Sequence, residues 1–342
     1  MKQFFQNLFL VVFFVSFSVK AQQTAIKIPK DTSFTVKNEY KKYRKYFPQI
    51  TMAKDSLPEN VNESRNLVYT TLKNTPFGDR DLHLDVFSPK KKGRYPALIM
   101  VHGGGWRAGD KALQVPMAQK LAAKGIVTVC VEYQLLQEAK YPAAVFNIKS
   151  AIRWVRANAD KYGIDPNKIA ISGCSAGGQL ALLVGLTNGV ESMEGNQGNL
   201  GFSSDIQAIV DLDGVVDFMA PLSLNLNRKS DSPDVQWLGG TFYEKPAVWK
   251  EASPIFWANE KSCPILFVNS GFPRFHAGQD ELIGMMKDWK IYTEVHKFDI
   301  QLHTFWLFNP WVDQTVNYIN NFLIKVFDKQ LAKNIEKTFK IE

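Results

Sequence analysis

"KIAISGCSAGGQLALLVGL", residues 168–186, decides how this chain is read. The apolar run "KIAIS" has strand character, and "GCSAG", Gly173–Gly177, follows it directly. The residues after that continue as a leucine- and alanine-rich helix. In a strand–turn–helix of this kind the small flanking residues permit a strained turn, which presents the Ser175 hydroxyl above the edge of a sheet. Taken alone, Gly-x-Ser-x-Gly says little: the same turn can be an ordinary connection or a phosphate cradle at a helix N-terminus. A dinucleotide-binding reading is disfavoured, because Gly-x-Gly-x-x-Gly does not occur.

Outward from this point, short apolar strands alternate with longer amphipathic stretches. "NLVYTTL" and "LHLDVFSP" form a predicted hairpin through the turn-rich "PFGDRD". "PALIMVHGG", "GIVTVCVEY", "KIAISGCS", "IQAIVDLDG", "PILFVNSG" and "YTEVHKFD" follow as further strands. Between the fourth and fifth lies "AAVFNIKSAIRWVRANADKYG", where Ala144, Ile148, Ile152 and Val155 recur at helical spacing. Such alternation predicts an α/β fold: a mostly parallel eight-stranded sheet, an antiparallel pair at its start, helices on both faces, and an insertion after strand six at about residues 218–262. Sites in such sheets form at the carboxyl ends of the strands.

The 342 residues, 45% hydrophobic and 13% aromatic, suffice for one large domain and exclude a disordered chain. Lys2, the apolar "FFQNLFLVVFFVSFSV" and the small residues up to Ala21 have the layout of a secretory signal peptide, residues 1–21, so the mature protein is expected to be secreted or periplasmic. Residues 22–65 read as a polar extension, with "EYKKYRKYF" a pre-domain helix or linker, and 66–342 as the α/β domain. A formal charge of +8, without a dense basic block interleaved with aromatics, points to a mixed soluble surface and not to nucleic acid. It allows an acidic glycan as partner. No stable membrane insertion is expected, since the apolar leader is short and interrupted by Gln6 and Asn7. Cys130, Cys174 and Cys263 each lie in or beside an apolar run and read as buried free thiols; no Cys/His cluster has zinc spacing, and neither metal nor cofactor is expected.

"VHGGGWRAGD", residues 101–110, places three glycines at the end of the third strand. Bare backbone there suits N–H groups that must closely approach a developing oxyanion. Gly103 and Gly104, with the N–H of Ala176 just after the nucleophile, are the expected donors, and His102 reads as scaffold.

"HGGGW" about seventy residues before "GCSAGG", each at a strand end, resembles the α/β-hydrolase superfamily and its secreted bacterial carbohydrate-esterase and lipase-like branch. The resemblance covers roughly residues 65–328. It implies a triad in the order serine, acid, histidine. Among the downstream histidines His276, His296 and His303, it points to His303, which follows the last strand, as the base. "HAGQDELI" resembles the family's H-G-x-x-D stretch and implies Asp280 as the acid. The longer "GFPRF" lead and Ala277 in place of glycine depart from that pattern, leaving Glu281, Asp213 and Asp217 open.

The resemblance implies a serine esterase acting through an acyl-enzyme, with acetyl esters of pectin- or xylan-like polysaccharides as substrate. Feruloyl, lipid or aryl esters, aryl formamides and peptides are the alternatives on the same scaffold. A non-catalytic glycan-binding relative would need none of Ser175, a triad acid, His303 and HGGG together. The insertion aromatics Trp237, Phe242, Tyr243, Trp249, Phe256 and Trp257 read mainly as core, about a third of them as sugar-stacking groups.

Overall fold

The computed structural model describes residues 27–328, so the signal peptide expected over residues 1–21 lies outside the described residues. Eight strands form the main sheet: β1 (Val61–Thr75), β2 (Gly78–Pro89), β3 (Tyr95–Val101), β4 (Val127–Val131), β5 (Ile164–Cys174), β6 (Ala208–Leu212), β7 (Ile265–Asn269) and β8 (Thr293–Lys297). Their spatial order is β1-β2-β4-β3-β5-β6-β7-β8. Strand β2 pairs antiparallel with both β1 and β4, and the remaining pairs are parallel, as the alternating sequence predicts.

The inner parallel strands β3, β4, β6 and β7 are buried on both faces, which is why they read as continuous apolar runs. Their two-residue period splits the core in two. Ile99, Val101, Ile171 and Ile209 point to the face covered by α3 (Ala143–Ala157), α4 (Ala176–Leu186) and α5 (Gln279–Asp288). Leu98, Met100, Ala170 and Val210 point to the other, under α2 (Val115–Ala123) and α6 (Trp311–Phe327). The stripe Ala144, Ile148, Ile152 and Val155 of α3 is buried as its spacing predicts. Each of the Ile and Val side chains contributes roughly 1.5–3 kcal/mol by leaving water. The three cysteines are free and buried.

Two expectations need correction. The boundary at residue 65 falls inside β1; of the two readings of the segment before it, helix or linker, the helix is found, and it packs on the domain. Helix α1 (Val36–Tyr43), capped by Thr35 Oγ1 accepting from Asn38 N–H at 3.1 Å, packs Tyr43 into the α2/α6 core. Thr51–Met52 pairs antiparallel with Phe308–Asn309, and Asp31 bridges to Ala108 in the glycine loop. The insertion between β6 and β7 is built of short helices, Pro221–Leu224, Pro233–Leu238 and Pro246–Glu251, each opened by proline in the first turn. Its aromatics do not form a sugar platform in the cavity below. Trp237 and Trp249 are fully buried, Phe242 and Trp257 pack on the core, and Tyr243 and Phe256 are exposed away from it.

Candidate active site

Ser175 sits between the end of β5 and the first residue of α4, at φ 55° and ψ −119°. A non-glycine residue there is strained and is held by its surroundings. The surroundings are specific: a Cβ on Gly173 would collide with the Gly177 carbonyl, so strand and helix cross too closely for any side chain at 173. The Ser175 N–H donates to the Leu212 carbonyl at the end of β6 (2.8 Å), tying the turn to the next strand.

His303 lies in the loop after β8. Its Nε2 is 2.8 Å from Ser175 Oγ and its Nδ1 is 2.8 Å from Asp213 Oδ2. One face of the imidazole stacks on Phe275 at 3.5 Å, nearly parallel, and Trp306 meets it edge-on at 5.2 Å. A charged carboxylate can only accept, so Nδ1 carries the hydrogen and Nε2 is left to accept from the serine hydroxyl.

The acid that reaches His303 is therefore Asp213, one of the positions left open, and not Asp280. Asp280 lies in the exposed first turn of α5 with Glu281, where acidic residues favour a helix N-terminus. The chain after β7 turns tightly through Pro273–His276 and starts the helix at Gln279, so it carries Phe275, not a carboxylate, to the histidine. Asp217 is occupied elsewhere, accepting from Met219 N–H at 2.7 Å.

Asp213 begins the loop after β6 at φ 54° and is fully buried; its Oδ1 accepts the Ser270 N–H at 2.7 Å. Burial would raise its pKa, but the imidazoles of His276 and His303 and the Ser270 N–H outweigh it and hold the carboxyl below the ordinary value. His276 Nε2 stands 3.6 Å from Oδ1, which gives it a supporting place beside the acid. Two residues earlier, Asp211 is pushed well up by burial and by the charge of Asp213. Of this close pair, the ionised carboxylate is the one facing the histidine. For His303, burial lowers the pKa and outweighs the opposing pull of Asp213.

The glycine loop completes the site. Gly104, Gly105 and Ala176 line the cavity, and Gly103 packs just behind, where a Cβ would meet the Cys174 carbonyl at 2.6 Å. Gly104 adopts φ 126°, and a side chain there would strike the Ala108 carbonyl. His102 is buried, stacked on Tyr133 at 4.5 Å with its Nδ1 2.9 Å from the Gly103 carbonyl, as befits scaffold. Trp106 anchors the loop: its indole N–H donates to Gln179 Oε1 (3.0 Å) and its ring stacks on Trp237 (4.8 Å, 8°). Gln179 in turn donates to the Ala252 carbonyl (2.8 Å), so the insertion props the glycine loop from outside. This use of Trp237, like the wall made by Phe275, has no signal in the sequence beyond the presence of an aromatic residue.

The cavity over Ser175 measures about 480 Å³. Trp106, Phe218 and Val215 form an apolar wall, and residues of the expected extension, Phe34, Glu39 and Lys42, form another. Thr304 Oγ1 donates to Glu39 Oε2 at 3.3 Å, joining that extension to the histidine loop. Among the described residues no helix is long and apolar enough to cross a membrane, and no group of His, Cys, Asp and Glu is placed to hold a metal ion.

A family model described as BD-FAE matches residues 84–287. Esterase LipC of Mycobacterium tuberculosis (strain ATCC 25618 / H37Rv) is 31% identical over 221 residues, 64% of this chain and 55% of LipC. Carboxylesterase NlhH of the same strain is 32% identical over 154 residues, 44% of this chain and 46% of NlhH. The chain thus spans about half the length of these curated relatives. Among solved structures, a truncated form of a carbohydrate esterase from gut microbiota superposes with a TM-score of 0.67 at 25% identity, covering 79% of this chain and 98% of that one. The thermophilic esterase Est2 of the Planctomycetes species Thermogutta terrifontis does so with a TM-score of 0.63 at 25% identity, covering 80% and 96%.

Proposed function

Since the chain belongs to the BD-FAE family and has the α/β-hydrolase fold, we propose that it is a secreted serine carboxylic ester hydrolase that removes acetyl groups from polysaccharides. The observation that carries the esterase reading is the continuous line from Ser175 through His303 to Asp213, 2.8 Å at each step, opening on a cavity beside unencumbered glycine backbone.

In this reading His303 Nε2 takes the Ser175 proton as Oγ attacks the ester carbonyl, and Asp213 stabilises the imidazolium that forms. The amides of the glycine loop, at Gly103 and Gly104, and of Ala176 meet the oxyanion; Gly105 stands beside them on the wall. Collapse expels the alcohol, protonated by His303, and leaves the acyl group on Ser175. Water activated by the same histidine then releases the acid.

Substrate class is supported by three features. Trp106 and Phe218, 5.6 Å apart, form an apolar aromatic part of the wall of the cavity that holds Ser175, which suits a short acyl group. The outer cavity is polar, with Ser223, Asn227 and Asp234, and suits a hydroxylated leaving group. The carbohydrate esterase among the structural neighbours agrees with a glycan substrate. The leader pattern of residues 1–21 supports export.

Acetate release from a panel of acetylated polysaccharides, pectin and xylan included, tests the reading. Release from at least one is expected, with acetyl preferred to butyryl among aryl esters. Hydrolysis of aryl acetate alone would overturn the polysaccharide substrate and leave a carboxylic ester hydrolase of small substrates.

The protonation state of His303 sets the pH dependence. Only neutral imidazole can accept the serine proton, and burial has lowered the His303 pKa below its ordinary value of about 6.5. As pH rises, kcat/KM is expected to climb through a midpoint below 6.5 and then level off, because that parameter reports the free enzyme. Asp213, held below the usual carboxylate range, stays ionised across this limb. A midpoint above 6.5 in a kcat/KM profile for aryl acetate would contradict the buried-base assignment.

A further inference from the structure

The lysines and arginines of the cavity wall each pair with a carboxylate, with one exception. Lys42 pairs with Glu39 at 3.5 Å and Arg107 with Asp31 at 3.0 Å. Arg228 pairs with Asp234 at 2.6 Å, while Asp213 accepts a hydrogen bond from the neutral His303 imidazole. Arg274, on the same wall, has no hydrogen bond and no ion pair among the described residues. Asp213 and Asp234 act on it only from beyond ion-pair distance.

Its position is nevertheless defined. The guanidinium lies over the Phe275 ring, with Cζ 4.2 Å from the centroid, and the same ring stacks on His303 at 3.5 Å. Arginine, aromatic ring and catalytic imidazole form one stack, which holds the free cation a ring's thickness from the base. Stacking of this kind orients a planar guanidinium and leaves its N–H fork available to a ligand. A guanidinium with no ion pair of its own and with fork geometry matches one carboxylate, taken in a bidentate grip.

We propose that Arg274 is a substrate-binding residue that receives a carboxylate on the leaving group, so that the preferred substrates are esters carried by acidic sugars of the uronate class. This rests on the polysaccharide esterase reading and narrows it: neutral glycans leave the Arg274 guanidinium without a partner.

The test separates the two ideas. Galacturonate, galactose and acetate are compared as competitive inhibitors of p-nitrophenyl acetate hydrolysis by the full chain, by Arg274→Gln and by Arg274→Lys. In the wild type, galacturonate is expected to inhibit roughly 10- to 100-fold more tightly than galactose, the worth of one charge-assisted hydrogen-bonded pair. That gap closes in Arg274→Gln, returns in part in Arg274→Lys, and shrinks with added salt. Equal inhibition by the two sugars in the wild type, or a gap that persists in Arg274→Gln, would overturn the proposal. So would acetate inhibiting as well as galacturonate, since the arginine would then read the released acid. With polysaccharides, the ratio of kcat/KM on acetylated polygalacturonate to that on a neutral acetylated glycan should fall by the same factor in Arg274→Gln. If the wild type deacetylates no polysaccharide, the polymer reading fails, while the inhibition series still decides whether Arg274 takes a carboxylate.

Discussion

Ser175→Ala is expected to lower turnover on aryl acetate by about 10⁶-fold, the scale of losing the nucleophile of a serine triad. The cavity and the glycine-loop donors remain, so a residual rate of roughly 10³-fold over water should persist. The same change should leave the fold intact. Alanine takes the φ 55° turn no less readily than serine, and the packing that forces the turn comes from Gly173, Gly177 and the Leu212 carbonyl, not from the hydroxyl. Single-turnover kinetics with a thermal unfolding curve on the same preparation check both parts. Turnover within a hundredfold of wild type would remove Ser175 from the mechanism.

The second large effect concerns the acid. Asp213→Asn should cost about 10⁴-fold in kcat, because an amide facing Nδ1 no longer enforces the tautomer that leaves Nε2 free to accept. Asp280→Asn, on the exposed first turn of α5, should stay within about twofold of wild type. The pair of variants discriminates sharply between the two carboxylates: a large loss at 280 with little at 213 would reverse the assignment made from the 2.8 Å contact. Burial of Asp213 also makes its variant the riskier to fold, so a near-ultraviolet circular dichroism spectrum should accompany the rate.

That acid was the part of the site least legible beforehand. Ser175 and the glycine loop announce themselves because each is a local motif: the residues that create the strained turn or the close approach are its sequence neighbours. His303 is readable by order along the chain, just past the last strand. The acid is defined only by a contact across 90 residues, and several loops at the carboxyl edge of a parallel sheet can deliver a carboxylate to the same point. "HAGQDELI" has the right letters but begins a helix too early, whereas "DLDG" at the end of β6 carries the residue in an apolar strand that reads mainly as core. The sheet itself was plain from its apolar period. The wall formed by α1 was not, since one buried face of Glu39 and Tyr43 in a lysine-rich stretch looks like a solvated linker.

The joining of Glu39 to Thr304 spans 265 residues, and Thr51 pairs with Asn309 almost as far along. An early stretch of the described chain thus meets the base-bearing loop far downstream. Until that loop has emerged, a growing polypeptide holds Ser175 with no base, and Glu39 of α1 lacks its partner Thr304. Contacts of such long sequence separation also form late in folding, since the entropy of closing the intervening loop must be met first. A chain that has not yet produced this loop should therefore be silent toward esters, and activity should appear only after it has folded into place.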